Sequence, residues 1–254
     1  MDEALKDAQR PRIAVLIDGD NARPSLIGKY LSEAGKYGIV TLRRIYGDWT
    51  TPQMNGWKES LNHHAVQPIQ QFRYTVGKNA TDSALIIDAM DILLGKLVDA
   101  FCLVSSDSDY TRLATRIRES GIFVMGIGEH KTPKPFVNAC NAFIFAENLL
   151  PSERRRSKSN GPRKPDSPAK EEARPDPLPI LIEALELASN DDGWARLSTI
   201  GDQLRNLDPS FDPRTFGYKQ LSQLVRAHKA QFEVSYQKKK GPTAIYVRLR
   251  EEGK

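Results

Sequence analysis

The chain has 254 residues, 39% of them apolar, enough for one large domain or two small ones with cores of their own. No run approaches the roughly 18 apolar residues a membrane helix needs, and the mixed-charge start MDEALKDAQR lacks the apolar stretch of a secretory signal. The net charge of +5 is uneven: residues 1–151 carry 17 basic and 17 acidic side chains, residues 152–174 carry 8 and 4, and residues 175–254 carry 12 and 11.

Two cysteines, Cys102 and Cys140, suit a reducing, cytoplasmic setting better than a disulfide framework. The four histidines show no metal-ligand spacing; His63 and His64 are adjacent and point apart on any regular element.

From Pro11 to about Leu150, strand and helix patterns alternate. RIAVLI (12–17) is a continuous apolar run, the mark of a strand buried on both faces. A helix is expected from Pro24 to Tyr37, then the strand IVTLRRIY (39–46), a helix around 53–65 and a short strand near 66–71. Thr81-Asp82-Ser83 reads as the cap of a strong helix, 84–97. FCLV (101–104), a helix over 110–120, IFVMGI (122–127) and AFIFA (142–146) complete the series. Such interleaving predicts an α/β fold, a parallel sheet with helices on both faces.

In open sheets of this kind, ligands sit beyond the carboxyl ends of the strands, where strand order reverses. IDGDN (17–21) follows the first strand and SSDSDY (105–110) follows the fourth. If those strands are neighbours, Asp18 and Asp107 face one crevice, and Asp82 can lean over it from its helix. Carboxylates about 5–6 Å apart repel by roughly 3 kcal/mol per pair at an effective dielectric of ~20. Either some are protonated or a divalent cation sits among them. Oxygen ligands without His or Cys suit Mg²⁺ or Mn²⁺, and such a site suits phosphodiester chemistry. Each acid also has a plain structural reading: Asp and Ser after a strand are ordinary turn and cap residues, and Asp109 can simply cap the next helix. Asp20 ranks below Asp18, and Asn21 either orients a water or holds the loop.

VLIDGDNA, GKNATDSALIIDAM and LVSSDSDYTRLATRIRESGIFVMGIG together resemble the NYN domain, a PIN-like nuclease fold of the LabA-like group, over nearly all of residues 11–148. The resemblance implies a PIN-like three-layer architecture and metal-dependent ribonuclease activity, with Mg²⁺ or Mn²⁺ on Asp18, Asp82 and Asp107. It places Asp109 as a supporting acid, Asn21 as the residue after the first acid, and Lys78 at a phosphate, although the loop around Lys78 departs from the family's usual pair. Arg43, Arg44, Arg73 and Lys78 are candidates for guiding an RNA backbone. Arg43 and Arg44 are adjacent on a strand, so at most one faces the crevice. Tyr46, Trp49 and Trp57 are either base-stacking or packing residues.

SERRRSKSNGPRKPDSPAKEEAR is basic and nearly without apolar residues, and the segment 151–175 is expected to be a disordered linker, either a spacer or a polybasic arm for phosphates. Residues 176–250 then read as three helices and a β-hairpin: LPILIEALELA (178–188), a helix over 197–207, a helix over FDPRTFGYKQLSQLVRAH capped by Asp212 with Pro213 in its first turn, and QFEVSY and AIYVRL around a Lys238-Lys239-Lys240-Gly241 tip. That is the pattern of a small winged helix. GWARLSTIGDQLRNLDPSFDPRTFGYKQLSQLV with its hairpin resembles the LOTUS, or OST-HTH, domain, which implies RNA binding and in some members protein binding. Arg214, Tyr218, Lys219 and the Lys238, Lys239, Lys240 wing are the expected RNA contacts; Tyr218 reads equally as core.

The combined expectation is a metal-dependent ribonuclease, 11–150, joined by a linker to an RNA-binding domain, 176–250. Its partner is single-stranded or structured RNA. The alternatives are a Mg-dependent phosphohydrolase, in which Asp18 is the nucleophile, and a non-catalytic RNA-binding adaptor.

Overall fold

The computed structural model describes residues 10–72, 80–150, 176–237 and 244–250. The chain forms two compact units, divided between Arg155 and Arg156.

The first unit is built on a six-stranded sheet in the order β3-β2-β1-β4-β5-β6, with every neighbouring pair parallel. Its strands are β1 (Arg12–Asp18), β2 (Ile39–Gly47), β3 (Gln67–Gln70), β4 (Ala100–Val104), β5 (Phe123–Gly128) and β6 (Ala142–Phe145). β1 and β4 are central, and all of β4 and all of β1 after Arg12 are buried, as continuous apolar runs require. The chain leaves β1 toward β2 on one side and returns at β4 on the other, so strand order reverses between β1 and β4.

Alternation along the strands sorts side chains into two cores. Val15, Ile17, Ile45 and Val104 pack against Ile27 and Tyr30 of α1 (Ile27–Ala34), and Trp57 and Leu61 of the segment leading into and through α2 (Lys58–His64) join them. Leu16, Tyr46 and Leu103 face the other way, against Leu85, Ala89 and Ile92 of α3 (Ala80–Leu94) and Leu113 and Ile117 of α4 (Thr111–Glu119). Phe136 of α5 (Lys134–Ala139) belongs to this second core. Both cysteines are free and buried, and burial pushes the Cys140 thiol up to about 12.

Two local expectations need adjustment. The helix bearing Asp82 includes Ala80 and Thr81, so Asp82 stands inside its first turn rather than in front of it. The 53–65 helix is a 3-10 turn, Pro52–Trp57, running into α2.

The second unit holds α6 (Leu178–Ala188), α7 (Leu197–Leu207), α8 (Leu221–Ala227) and a three-stranded antiparallel sheet in the order β7 (Ala195–Arg196), β9 (Ala244–Leu249), β8 (Phe232–Gln237). Leu181, Leu185, Ile200, Leu204, Leu224 and Phe232 form its core. The FDPRTFGYKQLSQLVRAH segment is not one helix. Asp212 caps a 3-10 turn, Pro213–Phe216, which stops at Gly217 with φ of 90° before α8 begins. A left-handed residue cannot continue a right-handed helix, and glycine enters that region without a Cβ clash. No helix among the described residues is long and apolar enough to cross a membrane.

Candidate metal centre

Asp18 is the last residue of β1, and the next strand over ends one residue before Ser105. The expected adjacency of the two acidic motifs is present, at the point where strand order reverses. Asp18 points to the α3 face and is completely buried. Its Oδ2 accepts hydrogen bonds from Ser105 Oγ at 2.7 Å and Asn21 Nδ2 at 2.8 Å, and its Oδ1 accepts one from the Asp20 backbone N–H at 3.1 Å. Burial pushes its pKa up. The two side-chain donors pull it back, and the nearby charges of Asp82 and Asp20 raise it further. Asn21 therefore holds the loop by clasping the acid.

Gly19 makes this turn possible. Its N–H donates to Tyr46 O at 2.9 Å, and a Cβ there would lie 2.7 Å from the same oxygen and 2.6 Å from the Met54 methyl. Only glycine lets the chain leave β1 this close to β2.

After β4, Ser105 Oγ accepts the Asp107 N–H at 3.1 Å while donating to Asp18, so one hydroxyl links the two acidic motifs. Asp107 caps the 3-10 turn Ser108–Tyr110 by accepting the Asp109 N–H at 2.9 Å. Tyr110, at the end of that turn, is buried and donates its hydroxyl to Asp82 Oδ1 at 2.6 Å. Burial, then the adjacent carboxylates, hold its phenol far above the ordinary range, so it stays a donor throughout.

The result is a cluster in which one carboxylate oxygen each from Asp82, Asp107 and Asp109 lies within 4.8 Å of the others. Asp82 and Asp107 are half-buried and Asp109 is exposed. Burial raises the pKa of Asp82, the Tyr110 bond lowers it, and the charges of Asp107, Asp109 and Asp20 raise it again. A dication among them would reverse that repulsion. Three oxygen donors with no His or Cys are compatible with a hard divalent ion such as Mg²⁺ or Mn²⁺.

This grouping differs in membership from the expected set of Asp18, Asp82 and Asp107. Asp109 stands inside the group and Asp18 beside it. The cause is position on the backbone: Asp18 ends a central strand and is roofed by its own loop, whereas Asp109 lies one turn past β4 and reaches the surface.

The other expected residues divide by sheet face and by unit. Arg43 is on the face away from Asp18 and donates to His64 O at 3.0 Å, closing the end of α2. That placement runs against its expected role on an RNA backbone beside the acids. Arg44 faces α3 and pairs with Asp88 at 2.5 Å, and Tyr46 gives Asp88 a short hydrogen bond. Trp57 is core and donates its indole N–H to Gly19 O at 3.2 Å. In the second unit, Arg214 is turned inward onto Asp212, which is only 5% exposed, with a 2.7 Å ion pair. This placement argues against a free RNA-contacting guanidinium. Tyr218 is half-buried against the core and Lys219 is exposed. Arg73, Lys78, Lys238, Lys239, Lys240 and the 151–175 segment lie outside the described residues.

Tyr110 was not singled out by sequence, and Asp88 was ambiguous there between a surface acid and a site acid. Tyr110 ends the SSDSDY motif, and a phenol directly after the second of two acids was the available signal. Asp88 lies six residues beyond Asp82 and gave no clear one.

Comparison with protein families matches residues 12–150 to the NYN domain and residues 176–243 to the OST-HTH/LOTUS domain. Among solved structures, a protein of unknown function from Vibrio parahaemolyticus is 18% identical, with a TM-score of 0.47, over 56% of this chain and 96% of that one. An uncharacterized protein from Nitrosomonas europaea is 36% identical over 38% of this chain and 93% of its own, with a TM-score of 0.30. A Chromobacterium violaceum protein is 35% identical over 32% of this chain and 88% of its own, with a TM-score of 0.27. No curated protein matches the chain.

Proposed function

Because the chain belongs to the NYN domain family and carries an OST-HTH/LOTUS domain after it, we propose that it is a metal-dependent ribonuclease, its first domain hydrolysing RNA phosphodiester bonds and its second holding the substrate. The observation that carries this reading is the meeting of Asp82, Asp107 and Asp109 within 4.8 Å at the strand-order reversal.

In this reading Asp82, Asp107 and Asp109 hold one Mg²⁺ or Mn²⁺, and Asp18 adds its charge from below. The ion supplies Lewis acidity toward a phosphate oxygen and lowers the pKa of bound water. The chain's own groups set up the site. Ser105 fixes Asp18 relative to Asp107, and Asn21 holds the loop between them. Tyr110 aims Asp82 and keeps it ionised against burial and its neighbours' charge. Lys78, Lys219 and the Lys238–Lys240 run are the proposed phosphate contacts, working through charge and independently of sequence.

Asp18 does not suit a phosphoryl-accepting nucleophile. It is fully buried, one oxygen takes two side-chain donors, and the other takes a backbone N–H. That disfavours the phosphohydrolase alternative.

The test is incubation of the full chain with single-stranded and hairpin RNA in Mg²⁺ or Mn²⁺ against EDTA. Cleavage that needs metal and is lost in Asp82→Asn and Asp107→Asn supports the reading. RNA binding without cleavage under any metal would replace it with the adaptor.

A further inference from the structure

A second concavity lies on the β2–β3 side of the sheet. The loop after β2 and helix α2 enclose, with β3, a groove of about 730 Å³. This is within the roughly 300–1,000 Å³ of small-molecule sites. Trp49, Met54, Leu61, Val66 and Pro68 make its apolar surface, and Asn55, Asn62, Gln70 and Lys58 its polar part. Among the described residues, no acidic side chain lines it.

Trp49 is held firmly. Its indole N–H donates to Ile69 O at 3.0 Å, and its backbone N–H donates to Gln70 Oε1 at 3.0 Å. Gln70 in turn donates to Asp48 Oδ1 at 3.0 Å. The ring is thus a fixed platform on the groove wall. Asn55, Lys58 and Asn62 are exposed, on one loop and the adjoining helix turn.

The groove reaches the same carboxyl edge of the sheet as the acids: Trp49 lies two residues past the end of β2 and Gln70 ends β3, while Asp18 ends β1. Met54 lines the groove and packs against the residue after Asp18, because a Cβ on Gly19 would fall 2.6 Å from its methyl. Trp57, in the same segment, donates to Gly19 O. A strand running along that edge from β1 past β2 comes to the groove at β3.

We propose that the groove is a nucleobase subsite for the RNA strand bound at the acidic cluster, an inference that rests on the ribonuclease reading above. A fixed aromatic ring stacks on any base, carboxamides match the mixed donor and acceptor edge of an unpaired base, and Lys58 meets the adjoining phosphate. Among the described residues the groove has one cation and no anion, which favours a phosphorylated ligand over a basic peptide. β3 is four residues long and contains Pro68, so it is a poor template for an added peptide strand.

The experiment measures binding of a short uridine homopolymer and an adenosine homopolymer to the full chain in EDTA, where no cleavage occurs. Readouts are RNA affinity and tryptophan fluorescence, with Trp49→Phe used to assign the Trp49 signal. RNA quenches the Trp49 component, and Asn62→Ala and Lys58→Ala each weaken binding by about fivefold or more, unequally for the two homopolymers. Glu59→Ala, on the same helix outside the groove, leaves affinity unchanged. Trp49→Ala weakens binding by about tenfold. If that variant fails to fold, Asn62→Ala and Lys58→Ala still decide, because both residues are exposed. Unchanged affinity in both, with no RNA-dependent Trp49 signal, overturns the subsite while leaving metal-dependent cleavage intact as a finding. Quenching and weakened binding in a chain that never cleaves RNA would instead sink the nuclease reading and keep the groove.

Discussion

Replacing Tyr110 with Phe removes one hydroxyl and leaves the ring in its buried place beside Phe136. The lost bond is the 2.6 Å donation to Asp82 Oδ1. A hydrogen bond to an ionised group contributes about 1.5–3 kcal/mol, and Asp82 is half-exposed, so about 1–2 kcal/mol is the expected loss at neutral pH. For a unit of this size that lowers Tm by about 2–8 °C. The sign with pH follows from the direction of the effect. Burial holds the Asp82 pKa above the ordinary carboxylate range and the Tyr110 bond pulls it back down, so the bond's contribution is full above those raised values and is lost as pH falls through them. Thermal melts of both proteins from pH 3 to 8 in EDTA therefore show a gap at neutral pH that closes in acid. With Asp82 harder to ionise, Mg²⁺ stabilisation in the variant also begins at higher pH than in the wild type. A gap of equal size at pH 3 and pH 7 would mean that the hydroxyl acts through packing alone, and the positioning role would be withdrawn.

Four further outcomes are expected. Asp18→Asn and Asp107→Asn each abolish RNA cleavage while RNA binding in EDTA is retained, checked by gel-based cleavage and filter binding. Gly19→Ala destabilises by about 1–3 kcal/mol in denaturant melts, since the added methyl meets the Tyr46 carbonyl at 2.7 Å and neither strand can retreat. Gly217→Ala costs about 1 kcal/mol or more through its φ of 90°, seen as a lower midpoint for the second unit. In EDTA, ionised Asp18 and Asp82 cost the first unit stability, because burial raises both pKa values. The cost is absent below about pH 3.9, sets in as pH rises, and is complete above the raised values, so added Mg²⁺ raises Tm at pH 7 and not at pH 3.

The sheet was legible because its central strands are buried on both faces. Ile13–Ile17 and Phe101–Val104 can only be apolar without interruption, and acids placed directly after such runs have to sit at the strand ends. What local sequence could not carry was depth. Asp18 and Asp109 look alike in the sequence, yet one lies under a loop that Gly19 folds back and the other lies a turn out in solvent. The same holds for Arg43 and Arg44. Alternation says that they face opposite ways, but only packing decides that Arg44 meets Asp88 and Arg43 meets the end of α2. The inward pairing of Arg214 has the same origin, since Asp212 caps the turn and draws in the side chain two residues on. Tyr110 was hidden because its partner Asp82 is 28 residues away and the contact exists only once α3 lies over β1 and β2 beside the Ser108–Tyr110 turn.

The ribonuclease reading stands on the claim that Asp82, Asp107 and Asp109 hold a hard dication. Calorimetric titration of metal-stripped protein with Mn²⁺ at pH 7 tests it without reference to RNA. The claim predicts saturable binding that is lost in Asp82→Asn and in Asp107→Asn and weakens as pH drops toward 4. Absence of saturable binding at millimolar Mn²⁺, or binding that survives both substitutions, would contradict it.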